Sequence, residues 1–230
     1  MTQEQGHGNA FERLVIERSG LHVAGMEQAG HTALHDIPLA STRDATPISV
    51  KVAQADIHKP GAKPVLAMGD APRFFAATTQ SPLLFVAGLH TATPQGPMIY
   101  EIHTCLALPE MQADLWGDLS YEDLRGLADR IKAWAKEDDA DGITGRTRTS
   151  ERALKAKRAL WPRLGHVDLS PKISASEARL QCSIPLLTLR RVCLNHGSQA
   201  EIASVLDGAT SWRGIPLPML LPDGKRTAKG

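Results

Sequence analysis

Hydrophobic positions along this chain alternate between a helical and a strand period, and the switches mark out its elements. In GNAFERLVIER (residues 8–18), Phe11, Leu14, Val15 and Arg18 follow the i, i+3, i+4, i+7 spacing of one helix face. Asn9 stands where an N-cap belongs and Gly20 where a C-cap belongs. His22–Met26 reads as a short strand, TRDAT (42–46) as a turn, and Ile48–Ala53 as a β-branched strand. Residues 56–82, with four prolines and several glycines, read mostly as loop with a short helix around Ala71–Ala77. Pro82–Leu89 and Met98–His103 read as buried strands joined by the turn TATPQGP. Ser120-Tyr-Glu-Asp123 has the form of a capping box, after which Leu124, Leu127, Ile131 and Trp134 form one apolar stripe to about Lys136. The polar run DDADGITGRTRT reads as mobile and residues 151–161 as a basic helix. ARLQCSIPLLTL reads as a strand and SQAEIASVLDG as a short C-terminal helix. This order predicts an α/β fold, a mixed central β-sheet flanked by helices, in a single domain over residues 1–222, with 223–230 a disordered tail.

Composition narrows the class. A chain of 230 residues that is 42% hydrophobic and 22% charged is ordinary for a globular protein, and no run of about 18 apolar residues suggests a membrane span. The first residues lack the basic and apolar regions of a signal peptide, so a cytoplasmic location is expected. Cys105, Cys182 and Cys193 lie in apolar settings with no C-x-x-C pair and read as reduced core residues. The net charge of +1 conceals an uneven distribution: seven basic residues and one acid lie between Arg146 and Arg163, just after the acidic Glu137, Asp138, Asp139 and Asp141.

One residue stands against the pattern. Lys51 interrupts the strand Ile48-Ser49-Val50-Lys51-Val52-Ala53, and a cation in such a strand needs a counterpart. Asp36 precedes it across a turn, and strands adjacent in sequence are commonly adjacent in space. A carboxylate is a hard oxygen ligand for Mg²⁺, which takes one or two of them together with waters and a substrate phosphate. A neighbouring lysine adds positive charge at the attacking water or the phosphate. Such a set suits phosphodiester hydrolysis. The alternative is structural, a lysine snorkelling from a strand end beside Asp36 or Asp44.

The pieces GNAFERLV, HDIP and ISVKVAQ together resemble the PD-(D/E)XK nuclease superfamily, which includes type II restriction endonucleases and Holliday-junction resolvases; the resemblance covers residues 8–54. By that resemblance the fold would be restriction-endonuclease-like. Asp36 would hold Mg²⁺, Lys51 would be the lysine of the motif, Glu12 the acid of the first helix, and Gln54 a supporting polar group. The implied activity is Mg²⁺-dependent, sequence-specific cleavage of double-stranded DNA, by a homodimer for symmetric cutting, with a cognate DNA methyltransferase as a partner. The chain departs from the motif at Ser49, where an acid is usual; Glu12 is the first candidate to replace it and Glu101 the second. Other readings are a structure-specific repair or recombination nuclease and a non-catalytic DNA-binding module of the same fold, which Ser49 favours.

A nuclease must hold a polyanion. Arg146, Arg148, Arg152, Lys155, Arg158 and Lys172 are the candidate DNA contacts, with Arg179 a further one. His31 and His35 share an i, i+4 spacing but lack the glutamate of a zinc-protease helix, and LNHGS (194–198) lacks partner motifs of a histidine-metal nuclease. Neither a phosphate-binding G-x-x-x-x-G-K-[ST] nor a G-x-S-x-G elbow is present.

Overall fold

The computed structural model describes residues 3–21 (side chains from residue 10), 46–55 and 63–221. In chain order the elements begin with α1 (Gln3–Arg18), β1 (Ile48–Gln54), β2 (Val65–Met68), α2 (Ala71–Gln80), β3 (Leu83–Thr93) and β4 (Gly96–Ala107). Helices α3 (Gln112–Trp116), α4 (Tyr121–Asp138) and α5 (Gly142–Leu160) follow, then β5 (Asp168–Ile173), β6 (Ala178–Pro185) and α6 (Leu186–Asn195). The chain closes with β7 (Ala200–Ser204), β8 (Ser211–Trp212), β9 (Ile215–Pro216) and β10 (Met219–Leu220). No described helix is long and apolar enough to cross a membrane. The protein is mixed α/β with a mixed central sheet flanked by helices, as the sequence predicts.

The chain packs as two compact units. The first takes residues up to Leu66, Pro82–Ala107 and the chain from Pro185; the second takes Ala67–Ser81 and Leu108–Ile184.

The first unit is built on a sheet of order β1-β3-β4-β10, with β7 also pairing β4. β1 runs parallel to β3, while β4 is antiparallel to β3, β7 and β10, so the sheet is mixed. One face carries the core: Ile48 and Val50 of β1, Val86 of β3, and Ile99 and Ile102 of β4 pack with Phe11 and Val15 of α1 and with Trp212, Ile215 and Leu217. Gly88 marks how closely α1 approaches, since a Cβ there would stand 2.7 Å from Ile99 Cδ1 and 2.9 Å from Phe11 Cζ. The β8–β9 hairpin turns through Arg213 and Gly214, both at positive φ (45° and 80°), the signature of a two-residue turn that matches strand twist. The opposite face meets α6, whose Cys193 shares a side-chain hydrogen bond with Cys105; that bond and burial push the Cys105 thiol up. All three cysteines are free and buried, as expected of core thiols.

In the second unit, α4 begins as its capping box predicts: Ser120 Oγ accepts from Asp123 N at 3.1 Å, and Asp123 Oδ2 accepts from Ser120 N at 2.9 Å. Leu124, Leu127 and Ile131 form its buried stripe. Phe74 and Phe75 of α2 pack against Trp116, with ring centroids 5.5 and 5.1 Å apart. Strands β5 and β6 of this unit pair antiparallel, from Asp168 opposite Ser183 to Ile173 opposite Ala178.

Several expectations are corrected. The run DDADGITGRTRT is not a mobile loop: α4 extends to Asp138, a 3₁₀ turn follows, and α5 starts at Gly142. The reason is long-range pairing, with Thr149 donating to Asp138 at 2.8 Å and Arg148 to the same carboxylate at 3.1 Å. SQAEIASVLDG is a strand and a 3₁₀ turn rather than a helix, because β7 finds backbone partners along Glu101–Cys105 of β4. ARLQCSIPLLTL divides into β6 and the start of α6, and the segment before α2 contributes strand β2. α1 begins at Gln3, upstream of the expected cap at Asn9. The strand expected at 22–26, the turn at 42–45 and the tail at 223–230 lie outside the described residues.

Candidate functional site

The faces of the sheet decide which side chains can act together. Ile48 and Val50 are buried against the α1 core, with Val52 packed beside them. Side chains alternate along a strand, so Ser49, Lys51 and Ala53 project from the other face. Cross-strand partners share a face, and the register runs Lys51–Ala87–His103 across β1, β3 and β4. The next row on that face is Ala53–Leu89–Glu101. Lys51, His103 and Glu101 therefore rise from the same side of the sheet, with only the methyl of Ala87 between the lysine and the histidine in their row. Spanning two strands separates the Lys51 and His103 backbones by roughly 10 Å, at about 4.8 Å per strand.

Glu101 and His103 form a close pair, with His103 Nε2 3.0 Å from Glu101 Oε1 and side-chain exposures of 2% for the histidine and 18% for the glutamate. Both ring nitrogens of His103 are buried and neither makes a hydrogen bond among the described residues, so its contact with Glu101 is one of proximity alone. His103 is absent from the sequence candidates. Its signal is the Glu-Ile-His alternation in MIYEIH, which sets both polar side chains on one face of a strand. Half-buried Lys51 donates from Nζ to the carbonyl of Val50 at 3.0 Å. Ser49 is buried beside it.

The other sequence candidates divide. Glu12 is half-buried on α1, next to Phe11, on the helix seated against the opposite face from Lys51. Gln54 is exposed at the end of β1 and has the parity of Ile48 and Val50. Asp36 lies outside the described residues. Among the described residues no group of three or more His, Cys, Asp or Glu side chains is placed to hold a metal ion. On the Lys51 face, the described strands of this sheet present one carboxylate, Glu101. That is one of the one or two carboxylates Mg²⁺ takes, so as a partial donor set it is compatible with the ion.

The basic candidates lie in the second unit and differ in what they touch. Arg148 is bound to Asp138 and Asp141, and Arg152 reaches Glu137 at 3.4 Å and Asp138 at 3.6 Å. These arginines fasten α5 to the end of α4. The pairing also holds the Asp138 carboxyl below the usual carboxylate range, chiefly through the Thr149 hydrogen bond and then the Arg152 and Arg148 charges. Arg146 lines a polar cavity of ≈ 250 Å³ with Lys136, Asp139 and the β5–β6 turn at Ser174–Glu177. Lys172 is exposed on β5 opposite Arg179, whose Nε is 2.8 Å from Glu177. Lys155 and Arg158 are exposed and make no ion pair among the described residues.

No family model, no curated protein and no solved structure matches this chain.

Proposed function

We propose that the protein is a Mg²⁺-dependent DNA endonuclease of the restriction type, with a restriction-endonuclease-like fold and its reactive centre on the Lys51 face of the first unit. The observation that supports it is the parity of β1: Ser49 and Lys51, the two motif positions, project together from the face of a mixed sheet that also bears Glu101. On this reading Glu101, rather than Glu12, replaces the carboxylate missing at Ser49, and Asp36 supplies the second acid. Magnesium would contribute Lewis-acid charge at the phosphate. Lys51, released from the Val50 carbonyl, would donate to the attacking water and orient it. The buried His103 ring, 3.0 Å from Oε1, would limit the orientations open to the Glu101 carboxylate.

Incubating the protein with plasmid and with several genomic DNAs, in Mg²⁺ and in EDTA, tests the reading. Discrete Mg²⁺-dependent fragments support it. Preference for branched over plain duplex DNA would instead indicate a repair nuclease. Ser49 favours a second reading, a DNA-binding module without catalysis, for which binding would persist in EDTA and no DNA would be cut in Mg²⁺.

A further inference from the structure

We infer that the C-terminal end of α5 and the turn after it, through Lys155, Arg158 and Trp161, are the duplex-contacting surface of the second unit; the choice of nucleic acid as partner rests on the endonuclease reading. Five of the twelve residues from Arg152 to Arg163 are basic and none is acidic. They are not equivalent. Arg152 is held by Glu137 and Asp138, Lys157 is buried with its Nζ 2.8 Å from Asp168, and Arg163 grips Asp123 at 2.7 and 3.0 Å. Lys155 and Arg158 remain, exposed and without an acidic partner among the described residues. Two unneutralised cations on one stretch of helix complement a polyanion, and their transfer onto phosphates breaks no internal pair.

Trp161 lies beside them, 54% exposed, with Leu154, 46% exposed, two stripe positions back. Leu154, Arg158 and Trp161 follow i, i+4, i+7 and so share a side of the helix. The indole is also held in place. Lys157 Nζ sits 5.7 Å from its ring centroid. The turn Trp161–Arg163 is clamped: Arg163 donates to the Asp118 carbonyl at 2.6 Å, and Asp118 N donates to the Arg163 carbonyl at 2.9 Å. An exposed aromatic on a fixed turn loses little freedom on binding, the property expected of a contact residue. Arg148 and Arg152, by contrast, serve the α4–α5 contact.

The test is fluorescence anisotropy of a short labelled DNA duplex in EDTA over a series of salt concentrations, on the full chain. Lys155→Ala with Arg158→Ala should reduce the slope of log affinity against log salt by about 2, near 0.9 for each phosphate no longer neutralised. Trp161→Ala should weaken binding about tenfold with little change in slope, as loss of a large uncharged contact area does. Arg125→Gln, an exposed arginine on α4, should bind as wild type. Wild-type-like binding by all the variants overturns the inference and leaves the endonuclease reading intact. Binding weakened as predicted, in a protein that never cuts DNA, upholds the surface and removes the nuclease. No DNA binding by the wild type overturns both. If Trp161→Ala abolishes a concentration-dependent self-association and leaves DNA binding unchanged, the surface belongs to a second copy and the inference fails.

Discussion

Gly88→Ala probes the face assignment on which the candidate site depends. Gly88 is opposite Val52 in the parallel register, on the α1 side of the sheet. The added methyl would stand 2.7 Å from Ile99 Cδ1 and 2.9 and 3.0 Å from Phe11 Cζ and Cε1, where ordinary contacts are 3.4–4 Å. Relief requires a shift of several tenths of an ångström in side chains that are both fully buried. Overpacking of this kind costs about 1–3 kcal/mol. Restricting the unfolded chain offsets roughly 0.4–1 kcal/mol of that. The net expectation is a loss of about 1–2 kcal/mol, opposite in sign to the backbone effect acting alone. Urea unfolding should show a lower midpoint with an unchanged slope. Phe11→Leu, costly alone, should suit the variant better than the wild type, so a double-mutant cycle should return a coupling above about 0.5 kcal/mol. A neutral or stabilised Gly88→Ala protein with zero coupling would mean that Phe11 does not rest on this face. The sheet would then no longer separate Glu12 from Lys51.

Two further outcomes follow from the second unit. Trp116 Nε1 donates to Thr78 Oγ1 at 3.0 Å in a buried setting, so Thr78→Val leaves the indole N–H without an acceptor at nearly constant volume and should cost about 1–3 kcal/mol by urea denaturation. Asp123, hydrogen-bonded by Arg163 and by the Ser120 N–H and hydroxyl, has its carboxyl pulled down from 3.8 to about 2. Its folded pKa is the depressed one, so its contribution is complete above about pH 4 and disappears as the pH falls through about 2. Asp123→Asn should therefore flatten the acid limb of stability between these values, read from tryptophan fluorescence during acid titration; an acid limb identical to wild type would contradict the pairing.

What the sequence discloses follows from local chemistry. The capping box at Ser120 and the apolar stripe behind it identify α4, and the β-branched run around Lys51 identifies β1, because a cap and a periodicity are complete within a few residues. At β7 the pattern misleads, because Ile202 and Leu206 keep a helical spacing. Neither is buried, at 37% and 68% exposed, and the ladder to β4, about a hundred residues earlier, overrides the local pattern. The start of α5 is hidden for a similar reason: Asp138 meets Arg148 and Thr149 ten and eleven residues on, beyond the reach of periodicity. In the site, Lys51 and Ser49 are legible as a strand motif, whereas the choice between Glu12 and Glu101 requires the strand register. His103 is visible in the alternation of MIYEIH, but only its 3.0 Å approach to Glu101 gives it a role.

Plasmid cleavage in Mg²⁺ by wild type, Lys51→Ala, Glu101→Gln and Glu12→Gln, each variant first shown to be folded by circular dichroism, tests whether the reactive centre lies on the Lys51 face. With a reactive centre on the Lys51 face, wild type cuts, Lys51→Ala and Glu101→Gln lose at least about a hundredfold in rate, as removal of a group acting on the reaction does, and Glu12→Gln stays close to wild type. Cleavage unaffected by Lys51→Ala and Glu101→Gln, or abolished by Glu12→Gln alone, would contradict a reactive centre on the Lys51 face.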